Sequence, residues 1–148
     1  MPILYRNDAS LTVAETIDLY RRSTLGERRP VDRPDLFSKM LTHADIVVTA
    51  WDNERLVGIA RTLTDFSYVA YLADLAVDQA YQKQRIGRTL IQNTRERLDP
   101  ECMIVLFAAP GADSYYDTLG FERNARGWML KAGQPFGDNP KNPSPSRQ

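Results

Sequence analysis

The sequence is poor in the residues most used for covalent and metal chemistry. Its 148 residues include one cysteine, Cys102, and one histidine, His43. A lone cysteine excludes an internal disulfide, and with a single histidine it leaves no Cys/His zinc cluster. No metal site is therefore expected, and a Ser-His-Asp or Cys-His nucleophile system is disfavoured. Neither sign of charge is in excess, since Lys plus Arg and Asp plus Glu both total 19. Nucleic-acid binders usually carry a basic surplus, so no nucleic-acid partner is expected. No apolar run approaches the roughly 20 residues that cross a bilayer, so no membrane partner is expected. The opening MPILYRNDAS lacks the layout of a signal peptide, which makes a cytoplasmic location the default. Chemistry in this chain must rest on carboxylates, tyrosines, backbone groups and a borrowed group donor.

What is present is an ordinary globular composition, 43% apolar and 26% charged. The length suffices for one hydrophobic core. PILYR at 2–6 reads as a strand. Thr12 and Glu15 have capping-box spacing ahead of a helix over 13–23, with Gly26 as its stop. Pro34 suits the first turn of a helix over 34–42. Residues 44–52 and 55–63 read as a hairpin turning at Asp52-Asn53, with Gly58 marking a bulge. A strand follows at 69–77, then a helix at 86–98 with Ile86, Leu90, Ile91 and Thr94 on one side. The apolar run 103–108 reads as a buried strand. A short helix at 111–118 ends at Gly120, and 121–123 with 127–131 reads as a last strand pair. From Ala132 the chain is rich in Pro, Asn and Ser, so the reading is one domain over 1–131 and a disordered tail over 132–148. This order gives an α/β fold, a mixed central sheet with helices on both faces.

The informative stretch is LADLAVDQAYQKQRIGRTLIQ, 72–92, where a buried strand enters a loop and the loop enters a helix. A helix N-terminus presents unpaired N–H groups and the positive end of its dipole. Gly87 permits close approach to the backbone, and Lys83, Arg85 and Arg88 add positive charge. This is a cradle suited to a pyrophosphate. A glycine placed for tight helix packing beside a solvated basic patch explains the same residues. Neither a P-loop nor a dinucleotide fingerprint is present, which disfavours a kinase, a GTPase or a dehydrogenase.

The segment resembles the central motif of the GNAT superfamily of N-acetyltransferases, V-x-P-x-Y-R/Q-x-x-G-I/L/V-G/A-x-x-L. Val77, Tyr81, Gln82, Ile86, Gly87 and Leu90 match it. Gln79 stands in place of the usual Pro, and Arg85 in place of the first Gly. Downstream, Ala112 through Glu122 is similar to the family's A-x-x-F/Y-Y-x-x-L-G-F-E. Ala109 stands where many members carry an Asn that touches the pantetheine arm.

The resemblance implies an acyl-CoA-dependent N-acyltransferase with acetyl-CoA as co-substrate and no covalent acyl-enzyme. It implies a fourth strand that is bulged and splayed from the fifth, so that the backbone of Leu75, Ala76 and Val77 pairs with the pantetheine arm. It assigns the pyrophosphate to the amides of Gln82, Lys83, Gln84, Arg85, Ile86, Gly87, Arg88 and Thr89. Tyr116 occupies the position of the general acid, and a packing role is its other reading. Asp74 is the candidate base. A carboxylate in mid-strand is partly desolvated, which would raise its pKa, although a salt-bridged Asp fits too. Alternation places Leu72, Asp74 and Ala76 on one face. Asp65 and Asp78 are weaker candidates. The acceptor pocket would draw on Phe37, Trp51, Phe66, Tyr68 and Tyr71, and the arginines of 20–33 raise the option of an anionic acceptor. The first reading of the acceptor is a small-molecule amine. The others are a protein N-acetyltransferase, or a non-catalytic CoA-binding sensor or interaction module. A homodimer is compatible with the family.

Overall fold

Residues 2–137 of the computed structural model are described below. Helix α1, Val13–Arg22, begins where the capping box requires: Thr12 Oγ1 accepts from Glu15 N–H at 3.1 Å, and Glu15 Oε2 accepts from Thr12 N–H at 2.7 Å. It ends at Ser23 rather than Gly26. Gly26 lies inside a 3-10 turn, Thr24–Arg28, where an added Cβ would come 2.7 Å from the Tyr20 carbonyl oxygen. Helix α2, Pro34–Thr42, starts on its proline as the sequence predicts.

The strands are β1 Leu4–Arg6, β2 Ile46–Asp52, β3 Arg55–Thr64, β4 Val69–Val77 and β5 Met103–Val105. They form one sheet in the order β1-β2-β3-β4-β5, antiparallel except for the parallel pair β4 and β5. The Asn53-Glu54 hairpin loop is closed by Asn53 in the left-handed region, φ 55°. Helix α3, Ile86–Arg95, buries the four residues that its periodicity predicts, Ile86, Leu90, Ile91 and Thr94.

Helix α1 packs on α2, β3 and β4, and α3 packs on β2, β3 and β4. Cross-strand pairing sorts the sheet into two faces. Leu56, Ile59 and Ala76 join Ile17, Leu19, Tyr20 and Phe37 of α1 and α2 in one core. Gly58 faces α3: a Cβ there would lie 3.0 Å from Ile86 Cγ2 and 3.1 Å from Leu90 Cδ1. The bulge expected at Gly58 is one residue earlier, at Val57, because Ala50 pairs with Gly58 and Trp51 with Leu56.

The chain divides into two compact units between Asp113 and Ser114. Helix α4, Asp113–Thr118, begins at this division, and in the second unit Phe121 N–H bonds back to the Tyr116 carbonyl at 3.1 Å. The strand pair expected at 121–123 and 127–131 does not form. Asn124 Oδ1 accepts from Arg126 N–H at 2.9 Å, and this local turn takes the place of a ladder. Trp128 is left 94% exposed. Strand β5 is shorter than the apolar run 103–108 predicts. Of the expected tail, 138–148 lies outside the described residues.

Candidate active site

The loop from β4 to α3 is built from special backbone geometry. Asp78 opens it, its Oδ1 accepting from Ala80 N–H at 2.8 Å. Gln82 Nε2 donates to the Val77 carbonyl at 3.1 Å and folds the loop onto the strand end. Lys83 and Arg85 are left-handed, φ 64° and 63°. Arg85 is the N-cap of α3 and gives it no side-chain cap. Its carbonyl accepts from Thr89 N–H at 3.1 Å and from Thr89 Oγ1 at 3.0 Å. Among the described residues no acceptor is found for the amides of Lys83, Gln84, Arg85, Ile86, Gly87 and Arg88. Consecutive amides around left-handed residues, at the positive end of a helix, form an anion-binding concavity. The side chains of Lys83, Arg85 and Arg88 add positive charge. The residues present therefore fit a diphosphate. The position where Arg85 replaces a glycine is indeed one that glycine favours.

Strand β4 supplies the second part. It pairs with β5 only over Val69, Tyr71 and the residue between them, ending at Tyr71 opposite Val105. From Leu72 to Val77 that side of β4 has no strand among the described residues, while Leu75, Ala76 and Val77 remain paired with Ala60, Ile59 and Gly58 of β3. The splay implied by the motif is present. So is the bulge: Arg61 pairs with Asp74 and Thr62 with Leu72, leaving Ala73 as the extra residue. The bulge changes which way side chains point. Leu72 shares its face with Thr62, on the side of α3, and Asp74 shares its face with Arg61, on the side of α1. The expected alternation holds for Asp74 and Ala76 but not for Leu72.

Asp74 lies in a closed polar network with its side chain fully buried. Its Oδ1 accepts from Arg29 Nε at 2.6 Å. Its Oδ2 accepts from Arg61 Nε at 2.6 Å and from the Tyr20 hydroxyl at 2.6 Å. Arg29 Nη2 also donates to the Ala73 carbonyl at 2.8 Å, and Arg61 Nη1 to the Met40 carbonyl at 3.3 Å. Burial alone would raise the Asp74 pKa. The hydrogen bond and charge of Arg61, then the Tyr20 hydroxyl and the charge of Arg29, outweigh it and hold the carboxyl below its ordinary range. Burial first, and then Asp74, push the Tyr20 phenol well above its usual value. The raised pKa expected for a base at Asp74 is thus corrected: both oxygens are engaged and the proton affinity is lowered. Asp74 ties the bulge to Tyr20, Arg29 and Arg61.

The weaker carboxylate candidates, Asp78 and Asp65, are engaged as well. Asp78 Oδ2 pairs with Arg22 and with Arg55, the latter at 3.4 Å, and Asp65 Oδ1 accepts the amides of Ser67, Tyr68 and Val69. Asp52 Oδ2 accepts the Tyr81 hydroxyl at 2.5 Å, fixing the motif tyrosine, while its Oδ1 is buried without a partner among the described residues. The arginines of 20–33 mostly have carboxylate partners within the fold: Arg21 with Asp32, Arg22 with Asp18 and Asp78, Arg29 with Asp74, and Arg33 with Asp35. That removes most of the support for an anionic acceptor. Of the aromatic candidates, Phe37 is wholly buried against Tyr20, ring centroids 4.8 Å apart. Trp51 packs on the same core, and its Nε1 donates to Thr49 Oγ1 at 2.7 Å. Phe66 and Tyr68 are exposed.

Tyr71 belongs to an open apolar shelf. Leu63 lies opposite Tyr71 and Tyr71 opposite Val105, so the three share the face that carries Arg61. Phe107 meets Tyr71 edge to face at 6.1 Å. Leu63, Val105 and Phe107 are all exposed. Ala109 follows in the same loop, where its carbonyl accepts from Ala112 N–H at 2.9 Å. In the second unit, Tyr116 contacts Tyr115 and Phe121 edge to face at 5.2 and 5.6 Å. Its pKa is raised, by burial first and then by Tyr115, so the phenol keeps its proton through neutral pH. Among the described residues there is no group of His, Cys, Asp or Glu able to hold a metal, and no helix is long and apolar enough to cross a membrane.

A family model described as an acetyltransferase (GNAT) domain matches residues 29–131. The chain belongs to this family. Among GNAT relatives, it is 35% identical over 78 residues to histone acetyltransferase TAP1 of Glycine max, covering 51% of this chain and 34% of that protein. It is 30% identical over 106 residues to the uncharacterized N-acetyltransferase ycf52-like of Prochlorococcus marinus, covering 68% of this chain and 57% of that one. The chain thus spans about a third of the length of the soybean relative. The GNAT fold is shown by solved structures. A GNAT-family acetyltransferase of Streptococcus pneumoniae superposes with a TM-score of 0.71 at 20% identity, covering 88% of this chain and 99% of the other. Aminoglycoside 6'-N-acetyltransferase complexed with coenzyme A gives a TM-score of 0.58 at 20% identity, covering 70% and 60%. The residues missed by sequence reasoning are Tyr20, Arg29 and Arg61, because each reaches Asp74 from a distant part of the chain.

Proposed function

We propose that the protein is an acyl-CoA-dependent N-acetyltransferase acting on the primary amine of a small molecule. The observation that carries this reading is the run of unengaged amides from Lys83 to Arg88, directly after a strand whose edge opens beyond Tyr71. Acetyl-CoA would supply the acyl group as a thioester. The amides of the loop would hold its diphosphate, and the free edge at Leu75, Ala76 and Val77 would take the pantetheine arm as an added strand. The neutral amine would attack the thioester carbonyl and the C–S bond would break; by its motif position Tyr116 would be the proton donor to the departing sulfur, its phenolate then regaining a proton from water. With Asp74 withdrawn from proton transfer, the amine releases its own proton to water.

The open shelf of Leu63, Tyr71, Val105 and Phe107 supports an acceptor with an apolar or aromatic part, since apolar contact there removes exposed surface from water. A second reading, a protein acceptor, is favoured by the histone acetyltransferase among the relatives. Titration calorimetry with acetyl-CoA tests the cofactor site, with Gly87→Glu as its control because bulk and negative charge then enter the anion cradle. A thiol-release screen over free amines and peptide amines separates the acceptors. Absence of acetyl-CoA binding by the wild-type chain overturns the proposal.

A further inference from the structure

We propose that Arg29 is a positioning residue for this activity: it ties the 3-10 turn between α1 and α2 to the β4 bulge and so sets the free edge of β4. The inference rests on the acyl-transfer reading for its kinetic consequence, but not for its structural part. All three guanidinium nitrogens of Arg29 are used. Nε donates to Asp74 Oδ1 at 2.6 Å, Nη2 to the Ala73 carbonyl at 2.8 Å, and Nη1 to the Arg28 carbonyl at 2.8 Å. Side chain and main chain of the bulge are therefore held by one planar fork, an arrangement that a lysine ammonium cannot reproduce. Asp74 does not need Arg29 for neutralisation, because Arg61 and Tyr20 already serve its other oxygen. Among the side chains of the described residues, the one that grips the Ala73 carbonyl is Arg29. Ala73 is the residue at which β4 changes its facing, two positions after its last pairing with β5 and two before Leu75. Arg29 is also partly exposed, 27% at the side chain, whereas Arg61 is 10%. It links a surface turn to the strand whose edge would take the pantetheine arm.

The test compares Arg29→Ala, Arg29→Lys and the neighbouring control Arg28→Ala with the wild-type chain. Two quantities are read: the acetyl-CoA Kd by calorimetry, and deuterium uptake of the ligand-free peptide spanning 72–78. Because Arg61 and Tyr20 remain on Asp74, Arg29→Ala is expected to stay folded, to bind acetyl-CoA about tenfold more weakly and to take up deuterium faster at 72–78 with α3 unchanged. Arg29→Lys should share the defect, and millimolar guanidinium should partly restore Arg29→Ala. If Arg29→Ala proves unfolded, Arg29→Lys carries the comparison. Wild-type values of Kd and uptake in either folded variant overturn the proposal, as does an equal loss in Arg28→Ala, which would mean that loop charge alone matters. Should the wild-type chain bind no acetyl-CoA, the acyl-transfer reading fails, and the uptake comparison still decides whether Arg29 orders the strand.

Discussion

The Tyr20 hydroxyl donates to Asp74 Oδ2 at 2.6 Å, joining α1 to β4 across 54 residues of sequence. Tyr20→Phe removes one hydrogen bond to a buried carboxylate, which costs about 1.5–3 kcal/mol. The fold should persist, because Arg29 and Arg61 stay on the same carboxylate. The shift in the urea midpoint measures the loss, and an unchanged midpoint would refute the role given to this bond.

Acid should weaken the same network. The Asp74 carboxyl is held below its ordinary range in the folded protein, whereas in the unfolded chain it titrates near about 3.9. Between those two values the unfolded state binds the extra proton, so stability rises with pH there. The contribution is complete above the unfolded value and disappears as pH falls through the folded one. Thermal melts from neutral pH into acid should show this limb in the wild-type chain and a shallower one in Asp74→Asn. That variant starts about 3–5 kcal/mol lower, because the buried arginines lose their counter-charge. Equal slopes would assign the acid limb to other groups.

Arg85→Gly should separate stability from affinity. Arg85 holds φ 63° and ψ 20°, a conformation costing an L-residue roughly 1–2 kcal/mol. Glycine relieves that strain but adds freedom to the unfolded chain, leaving a net gain of about 0.5–1 kcal/mol. Calorimetric melting should therefore shift upward, while acetyl-CoA binding weakens as one positive charge leaves the cradle. A variant that melts lower than the wild-type chain contradicts the strain argument.

Tyr116→Phe keeps the ring contacts with Tyr115 and Phe121 and removes only the proton donor. A drop in kcat of about 10²-fold with little change in acetyl-CoA Kd is expected. The raised pKa places any alkaline limb due to this phenol above the usual value of about 10, and that limb should be missing in the variant. Wild-type kcat in Tyr116→Phe would remove it from acid catalysis.

Gly58→Val tests how α3 is seated. Even a Cβ would stand 3.0 Å from Ile86 Cγ2 and 3.2 Å from Ala50 Cβ, so a branched side chain must push the helix or its residues aside. Overpacking of this kind costs about 1–3 kcal/mol. Because Ile86 opens α3, the displaced helix should also bind acetyl-CoA more weakly. Melting and calorimetry on one preparation report both effects, and a variant with wild-type values in each would show that the contact is soft.

The sequence made legible what short-range rules govern. The Thr12–Glu15 box, the proline start of α2, the limits of β4 and the buried side of α3 all depend on neighbours within a turn or two. The loop proposed as the anion cradle could be picked out for the same reason: its amides, its glycine and its cations are consecutive. The pKa direction at Asp74 was not, because it is set by partners 54, 45 and 13 residues away. The bulge that turns Leu72 to the opposite face depends on a register between two strands, which no local pattern encodes. The strand pair expected after Gly120 does not form, and a short-range bond from Arg126 N–H to Asn124 Oδ1 stands where a ladder was expected.

The brevity of the β4–β5 ladder has a consequence for the empty protein. Among the described residues, no strand neighbours the backbone donors and acceptors beyond Tyr71, and such a row is a template on which an extended peptide can pair, another copy of this chain included. Whatever guest lies along Leu72 to Val77 would work as a plug for that seam, so starvation for the guest should first show itself as cloudiness in solution.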